Sequence, residues 1–159
     1  MLLNEQFDDV VALVKKKNDI VNSLRDEEYN TTLLMWACAL ERIDVVRFLI
    51  ENNCDVNCRN EYGWNALHWL ALFGNDSTTR VRIFKMLADN FNIVHALNQQ
   101  SDYGQTPLHN AALYNRHLLL EEMIIQGGDV NIRDKRNKRP GDHRWCDEKT
   151  KDIILRYRK

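Results

Sequence analysis

The sequence is poor in the residues that interrupt helices. Its 159 residues include two prolines and six glycines, so most of the chain is free to adopt helical structure. No apolar run approaches the roughly 20 residues that span a bilayer, and the opening residues lack the basic segment of a signal peptide. The mean hydropathy is -0.52. We therefore expect neither a membrane protein nor a secreted one.

Motifs of catalysis and metal binding are also missing. The sequence contains no glycine-rich phosphate loop, no H-E-x-x-H and no G-x-S-x-G. Its four cysteines form no C-x-x-C pair, and Cys54 and Cys58 have no second close pair that would complete a zinc site. We expect reduced thiols, no metal, no cofactor and no enzymatic activity. The expected location is the cytoplasm, with the nucleus as a second one.

Charge is divided unevenly along the chain. Residues 1–130 carry 11 Lys and Arg against 18 Asp and Glu, a net charge of -7, and residues 131–159 carry 11 against 5, a net charge of +6. We interpret Lys135–Arg139 as a solvated hairpin tip, with a nuclear-import or nucleic-acid patch as the alternative. The acidic remainder argues against general binding of duplex nucleic acid, which needs many phosphate contacts.

One phrase recurs along the chain. Its fullest form is GQTPLHNAA at Gly104–Ala112, and GWNALHWLA at Gly63–Ala71 is a close variant. Weaker copies begin at Asn30 and Asn137, so successive copies start 33, 41 and 33 residues apart. A second phrase recurs at Asp19–Asn22, Cys54–Asn57 and Gly128–Asn131. A regular period of this length is typical of stacked structural units.

The first phrase predicts how each unit folds. Thr106 is a typical helix N-cap, and Pro107 suits the first helical position, where its missing N–H costs no hydrogen bond. The apolar residues that follow fall on one helical face. A second apolar stripe over Leu118–Ile125 predicts a second helix, which Gly127-Gly128 would end. Such units must stack, because a single one leaves an apolar face bare.

Both phrases resemble the ankyrin repeat, whose family sequence is D-x-x-G-x-T-P-L-H-x-A-A, closing with G-A-D-V-N. The resemblance covers nearly the whole chain and implies an all-α solenoid of stacked helix–turn–helix units with hairpin loops. His68 and His109 occupy the histidine position of the phrase, which implies structural capping rather than catalysis. The implied units are a truncated N-terminal cap over 1–25, repeats over 26–58, 59–99 and 100–132, and a degenerate C-terminal cap over 133–159.

Three departures from the family pattern are expected to alter the fold. The first unit keeps one complete helix, expected over Asn4–Lys17. The third unit is eight residues longer than its neighbours (41 against 33), and we place about five of the extra residues in Asn75–Arg80 and the rest near Phe91–Val94, as loops tolerate insertions. In the last unit Gly141 stands for an expected leucine and Trp145 for a small residue.

Ankyrin-like arrays bind partners through their hairpin tips and the exposed face of each first helix. The resemblance therefore implies a partner-binding surface made of Tyr29, Tyr62, Trp64, Phe73, Tyr103, Tyr114, Leu40, Leu72 and Leu113. Tyrosine and tryptophan are favoured interface residues. The alternative for Leu72 and Phe73 is packing beneath the enlarged loops of the third unit. Trp36 and Trp69 are expected in the core.

The phrases at Leu34-Met35-Trp36 and Asn65–His68 are similar to those of the short IκB-like ankyrin proteins that some viruses encode. This resemblance implies an alternative to a general protein-binding module, namely an inhibitor that sequesters a Rel/NF-κB-type transcription factor. The chain agrees in lacking a D-S-G-x-x-S phosphodegron, so no obvious site marks it for signal-dependent degradation.

Overall fold

The structure is a computed structural model that describes residues 21–158 together with Asp9, Ala12, Val14 and Lys16. Those four separate positions are helical, and Val14 is fully buried. The helix expected over Asn4–Lys17 otherwise lies outside the described residues.

Residues 21–158 contain eight helices and no strand beyond one isolated bridge. The helices are α1 (Leu33–Ala39), α2 (Ile43–Glu51), α3 (Ala66–Leu72), α4 (Thr78–Asn90), α5 (Val94–Asn98), α6 (Pro107–Leu113), α7 (His117–Ile125) and α8 (Glu148–Tyr157). The helices α1, α3 and α6 pack side by side, and α2, α4, α7 and α8 form a second layer. The predicted all-α class is confirmed, and the two layers bury the apolar faces that single units would leave bare. The boundaries of the five units stay a prediction.

Capping residues explain where the first helices begin. Thr106 is the N-cap of α6 and Pro107 its first residue, as predicted. In α3 the Asn65 side-chain oxygen accepts hydrogen bonds from the N–H groups of Leu67 and His68, at 3.1 and 3.2 Å. The Asn65 side chain thus satisfies N–H groups that α3 itself leaves unpaired.

The hairpins between units stack into a ladder. Three equivalent backbone hydrogen bonds join successive tips, from the N–H of Glu61 to the carbonyl oxygen of Tyr29, from Asp102 to Tyr62 and from Lys135 to Tyr103, at 3.0 to 3.1 Å. Inside each hairpin one side-chain oxygen accepts two N–H groups, as Asn60, Ser101 and Asp134 show. The ladder therefore places the three tip tyrosines at equivalent backbone positions.

Long side chains tie each hairpin to the next one. The Arg59 guanidinium donates to the carbonyl oxygen of Gly63 in its own hairpin and to that of Gln100 in the next, both at 3.1 Å. The Gln100 amide does the same with the carbonyl oxygens of Gly104 and Arg133, at 2.7 and 2.9 Å. These bonds satisfy carbonyl groups that the hairpin backbone leaves unpaired.

The enlarged third unit differs from the expectation. Residues Thr78–Arg80, which we expected in an inserted loop, form the first turn of α4, which has 13 residues where α2 has nine. The Ser77 hydroxyl caps this longer helix by accepting a hydrogen bond from the Arg80 N–H at 3.2 Å. The expectation was wrong at this point because a polar run that begins with serine can cap and start a helix. The inserted residues near Phe91–Val94 lead into α5.

Arg80 is fully buried beneath the loop that precedes α4. Its Nε donates to the carbonyl oxygen of Asn75 at 2.8 Å, and its Nη1 donates to that of Leu70. Its Nη2 lies 3.0 Å from the Glu41 carboxylate. A buried guanidinium needs partners of this kind because desolvation of an unpaired charge is costly. The arginine thus ties the third unit to the loop between α1 and α2.

The last unit lacks a first helix. The chain between Pro140 and Asp147 makes turns, and α8 is the helix that follows. Gly141 has a φ of +87°, and a Cβ at this position would lie 2.6 Å from the Cδ1 atom of Ile154. Glycine allows both the left-handed backbone and the close approach of α8. This geometry explains why glycine stands where the family pattern has leucine.

The two tryptophans that we expected in the core, Trp36 and Trp69, differ in how deeply they are buried. Trp69 is buried in the hydrophobic core. Trp36 is half-buried instead, and its indole N–H donates to the Asp26 carboxylate at 3.1 Å. The expectation for Trp36 missed this polar partner, which keeps one edge of the ring near the hairpin. The two rings lie with their centroids 5.0 Å apart in an edge-to-face arrangement.

Candidate protein-binding surface

His68 and His109 act as helix caps that also join neighbouring units. Nδ1 of His109 accepts the Thr106 N–H at 3.1 Å, so the ring proton is on Nε2, which donates to the Lys138 carbonyl oxygen at 3.0 Å. His68 makes the same pair of bonds with the Asn65 N–H and the Gln105 carbonyl oxygen, at 3.2 and 2.9 Å. The capping role is confirmed.

Burial keeps both of these histidines neutral. It lowers the pKa of His68 from 6.5 to about 3, and it also lowers the pKa of His109. Both rings lie in the core of the array, where a charged imidazolium would lose its hydration. Their ring nitrogens are occupied by backbone partners, so neither histidine is arranged for proton transfer to a substrate.

Aromatic residues of the hairpin tips and of the end of α6 form a row along one side of the molecule. We call Tyr29, Tyr62, Trp64, Tyr103 and Tyr114 the aromatic strip. Ring centroids lie 5.8 Å apart between Tyr29 and Tyr62, and 6.2 Å apart between Tyr62 and Trp64. Tyr62, Tyr103 and Tyr114 are 37%, 55% and 43% exposed, and Tyr29 and Trp64 are half-buried.

The other residues of the expected surface lie at the ends of the first helices. Leu72 and Leu113 are the last residues of α3 and α6, and Leu40 follows α1. All three are half-buried. Phe73 is 40% exposed, and its ring centroid lies 4.9 Å from that of Trp69. Phe73 therefore rests on the core and stays open to solvent, so the alternative of packing beneath the third-unit loops does not describe it.

A groove of about 660 Å³ lies at one end of the aromatic strip. It is lined by Trp64, Tyr103, Gln105, Leu113, Tyr114, Asp134, Lys135, Arg136, His143 and Trp145. Four of these ten, Trp64, Tyr103, Leu113 and Tyr114, belong to the sequence-predicted surface, and the other six, Trp145 among them, do not. The sequence signal that could have found Trp145 is its position where a small residue is expected, since a large ring there has no room in the core.

The two ends of this surface carry opposite charges. Glu27, Glu28 and Glu61 are exposed at the tips near Tyr29 and Tyr62. The side chain of Glu28 raises the pKa of the Tyr29 hydroxyl by accepting its hydrogen bond, and Glu61 acts in the same way on Tyr62. Lys135, Arg136 and Arg144 are exposed at the groove end. The aromatic strip therefore runs from an acidic to a basic end.

The thiols are arranged as structural groups. Burial raises the pKa of Cys54 to about 12 and also raises the pKa of Cys58. Both thiols are therefore held in their protonated form. Among the described residues no three His, Cys, Asp or Glu side chains come together as ligands for a metal ion.

Two family models match the chain. The model described as ankyrin repeats (many copies) matches residues 34–88, and the one described as ankyrin repeat matches residues 103–135. The chain belongs to the ankyrin-repeat family. Ankyrin repeats are protein–protein interaction modules, which is the class of function that the sequence predicts.

The chain is similar to other ankyrin-repeat proteins. FPV031, an ankyrin repeat protein of fowlpox virus (strain NVSL), is 33% identical over 135 residues, which are 84% of this chain and 37% of the relative. FPV230 of the same virus is 22% identical over 163 residues, 87% of this chain and 86% of the relative. Inversin of Danio rerio is 35% identical over 79 residues, 47% of this chain and 7% of inversin. The chain thus spans little more than a third of FPV031.

No helix in the described part of this ankyrin array is both long enough and apolar enough to cross a membrane. The longest, α4, has 13 residues and carries charged side chains.

Proposed function

We propose that this ankyrin-repeat protein is a non-enzymatic module that holds a protein partner on the aromatic strip and the adjoining first-helix residues. The repeated position of the tip tyrosines carries the proposal, because the hairpin ladder aligns them in three successive units. Aromatic rings in a row supply a large contact area at low entropic cost, and tyrosine and tryptophan are common interface hot spots.

The proposed contact residues are those of the predicted surface. They are Tyr29, Tyr62, Trp64, Phe73, Tyr103, Tyr114, Leu40, Leu72 and Leu113. The backbone of Tyr29, Tyr62 and Tyr103 is held by the hairpin ladder, and the Phe73 ring packs against the Trp69 ring. A surface preorganised in this way loses little conformational freedom when a partner binds.

Truncation of the aromatic strip tests the proposal. Tyr103→Ala and Trp64→Ala are each expected to abolish capture of the partner, identified by affinity capture and mass spectrometry. The thermal unfolding midpoint of Tyr103→Ala should stay nearly unchanged, because Tyr103 is 55% exposed, whereas that of Trp64→Ala should fall somewhat, because the Trp64 ring also packs against the core. Tyr157→Ala is the matched control, because Tyr157 is 38% exposed on α8, away from the strip. Equal loss of folding and capture would refute the placement.

The second candidate is an IκB-like inhibitor that sequesters a Rel/NF-κB-type transcription factor. Its support is the phrase resemblance to viral IκB-like ankyrin proteins, together with two similar proteins from fowlpox virus. A pull-down with a purified Rel-type dimer, with and without competing DNA, tests it. Inhibition predicts capture of the free dimer and competition by DNA, and absence of binding at micromolar protein would contradict it.

A further inference from the structure

The groove at the basic end of the aromatic strip has apolar walls and a cationic rim. Its aromatic and aliphatic walls are Trp64, Tyr103, Leu113, Tyr114 and Trp145. Its rim carries Lys135 and Arg136. A volume of about 660 Å³ is enough for several side chains of a peptide. The groove therefore combines an anchor site for a ring with positive charge beside it.

Trp145 is held in place although its ring is 61% exposed. The Asn115 amide donates to the Trp145 carbonyl oxygen at 3.2 Å, and the Asn115 oxygen accepts the Asp147 N–H at 2.9 Å. The Arg144 guanidinium carbon lies 4.2 Å from the centroid of the Trp145 ring. The turn that carries the ring is thus bonded to the loop after α6, and the Arg144 guanidinium covers one face of the ring.

The rim charges are available to a ligand. Within the described residues neither the Lys135 ammonium nor the Arg136 guanidinium forms an ion pair, and both residues are exposed. The one carboxylate that lines the groove belongs to Asp134, whose side chain is 2% exposed. It accepts the N–H groups of Arg136 and Lys138 at 2.9 and 2.8 Å. The accessible rim is therefore cationic.

We infer that this groove binds a short acidic segment of a protein partner. One aromatic or branched apolar side chain packs against the Trp145 and Tyr103 rings, and carboxylates on either side of it pair with Lys135 and Arg136. The inference rests on the proposed function, because it assigns a chemistry to the basic end of the same surface. The acidic tips near Tyr29 add orientation, since they repel the acidic segment from the opposite end of the strip.

A single-stranded nucleic acid also combines negative charge with rings, and the charge distribution disfavours it. Residues 1–130 carry a net charge of -7, and the acidic tips continue the strip away from the groove. A long polyanion that follows the strip would meet these carboxylates, whereas a short acidic peptide needs the groove alone. The peptide is therefore the occupant that the charges favour.

Labelled peptides and fluorescence polarisation test the inference. The probe is Asp-Glu-Phe-Leu-Glu-Asp, compared with neutral Asn-Gln-Phe-Leu-Gln-Asn, with Asp-Glu-Ser-Ser-Glu-Asp, which lacks the apolar anchor, and with a mixed-sequence single-stranded oligonucleotide. We expect the acidic peptide with the anchor to bind about tenfold more tightly than the other two peptides, since a few exposed ion pairs and one anchored ring each contribute modestly. Equal binding of the neutral peptide, or tighter binding of the oligonucleotide, would overturn the inference.

Variants locate the binding on the protein. Trp145→Ala is expected to weaken binding of the acidic peptide about tenfold, and Arg136→Gln about two- to fivefold. Arg82→Gln, an exposed arginine on α4, is the matched control and is expected to change nothing. Circular dichroism confirms that each variant is folded. Unchanged affinity in Trp145→Ala would refute the groove as the site.

The same variants separate this inference from the proposed function. Tyr62 belongs to the aromatic strip but does not line the groove. If Tyr62→Ala abolishes capture of the partner while Trp145→Ala and Arg136→Gln do not, the acidic-segment inference fails and the proposed function stands. If Tyr62→Ala and Tyr103→Ala both leave capture intact, the proposed function itself fails.

Discussion

At the scale of single residues, the two capping histidines show how one side chain serves two units. Each ring accepts an N–H at the start of its own helix and donates to a carbonyl oxygen of the next hairpin. The bond between units requires the Nε2–H tautomer, and the bond within the unit requires an unprotonated Nδ1. Protonation would remove the acceptor and place a charge in the core, so the stability of the array depends on neutral histidines.

Acidification is therefore expected to destabilise the protein through His68. The pKa of His68 is about 3 in the folded state, against an ordinary value of 6.5. The contribution of this residue to the free energy of unfolding is therefore fully present above pH 6.5, and it falls below that pH because the unfolded chain then binds a proton that the folded protein does not. Between about pH 7.5 and about pH 5.5 the loss from this residue is about 1.4 kcal/mol. Urea unfolding at both pH values measures it.

Two substitutions serve as the comparison for this pH dependence. His68→Gln is expected to reduce the difference in unfolding free energy between the two pH values. His95→Gln is the matched substitution at an exposed position, and it measures what a change from histidine to glutamine does outside the core. A wild-type protein that is equally stable at both pH values would contradict the prediction.

The structural role of Arg80 could not be predicted from the sequence. In the sequence Arg80 ends the polar run Asn75–Arg80, where arginine is ordinarily exposed, yet in the structure it is fully buried in the first turn of α4, against Glu41 and two carbonyl groups. Its partners are Glu41 of the preceding unit, the Leu70 carbonyl group of α3 and the Asn75 carbonyl group of the loop before α4. No local pattern marks such a residue, because burial of a charge depends on which groups the fold brings around it.

At the scale of elements, the hairpin ladder requires close approach between successive tips. Gly104 has a φ of +76°, and a Cβ at this position would lie 2.7 Å from the backbone nitrogen of Lys135. That nitrogen donates to the Tyr103 carbonyl oxygen. The glycine in the family phrase thus permits both the turn and the stacking of the next hairpin on it.

Gly104→Ala is expected to destabilise the protein by about 3 kcal/mol, because the backbone strain at positive φ adds to a clash with the Lys135 backbone. Gly127→Ala is the matched control. Its φ is also positive, at +101°, but the nearest atom to a Cβ is a Val94 methyl group at 3.3 Å, so we expect a loss of about 1 kcal/mol. Urea unfolding compares them, and equal losses would contradict the role of the ladder contact.

At the scale of the whole molecule, the array is held by contacts between neighbours. Helix α3 packs between α1 and α6 and also contacts α4, whereas α8 packs against α7. In arrays of this kind stability is close to a sum of unit and interface contributions. A helix with neighbours on both sides therefore opens less often than one with a neighbour on one side.

Native-state hydrogen exchange is expected to show this gradient. Amides of α3 should be protected at least about tenfold more than those of α8, because opening α8 breaks one interface whereas opening α3 breaks several. Mass spectrometry of peptic fragments measures both helices in the same sample. Equal protection would mean that the array opens only as a whole.

Much of the fold was predictable because its signals are local. The Thr106-Pro107 start, the histidine caps and the glycine turns act within a few residues, and the 33-residue spacing repeats them. The prediction was wrong where one unit departs from the rest: Thr78–Arg80 are helical, and Trp36 is half-buried. Thr78–Arg80 are helical because the Ser77 hydroxyl caps them, and Trp36 is half-buried because its indole N–H donates to Asp26 in the hairpin.

The aromatic strip was predictable in part for the same reason. The tip tyrosines share a place in the repeat, so their alignment in the strip follows from the period. The groove could not be predicted from the period, because Trp145 lies in a degenerate unit and comes beside Trp64 and Tyr103 only after the chain has turned at Gly141. Its cationic rim depends on the hairpin tip as well, whose position beside that ring is a property of stacking.

The amino-acid pattern alone thus prescribes the family, the helical units and the tyrosine at each tip, since these depend on neighbours along the chain. Only the tertiary structure decides that Arg80 is buried and that Trp145 lines the same groove as Lys135 and Arg136. Both results depend on contacts between segments that are separate in the sequence. The physical difference lies in the range of the interactions: caps and turns are short-range, whereas desolvation and charge pairing are set by everything that surrounds a side chain.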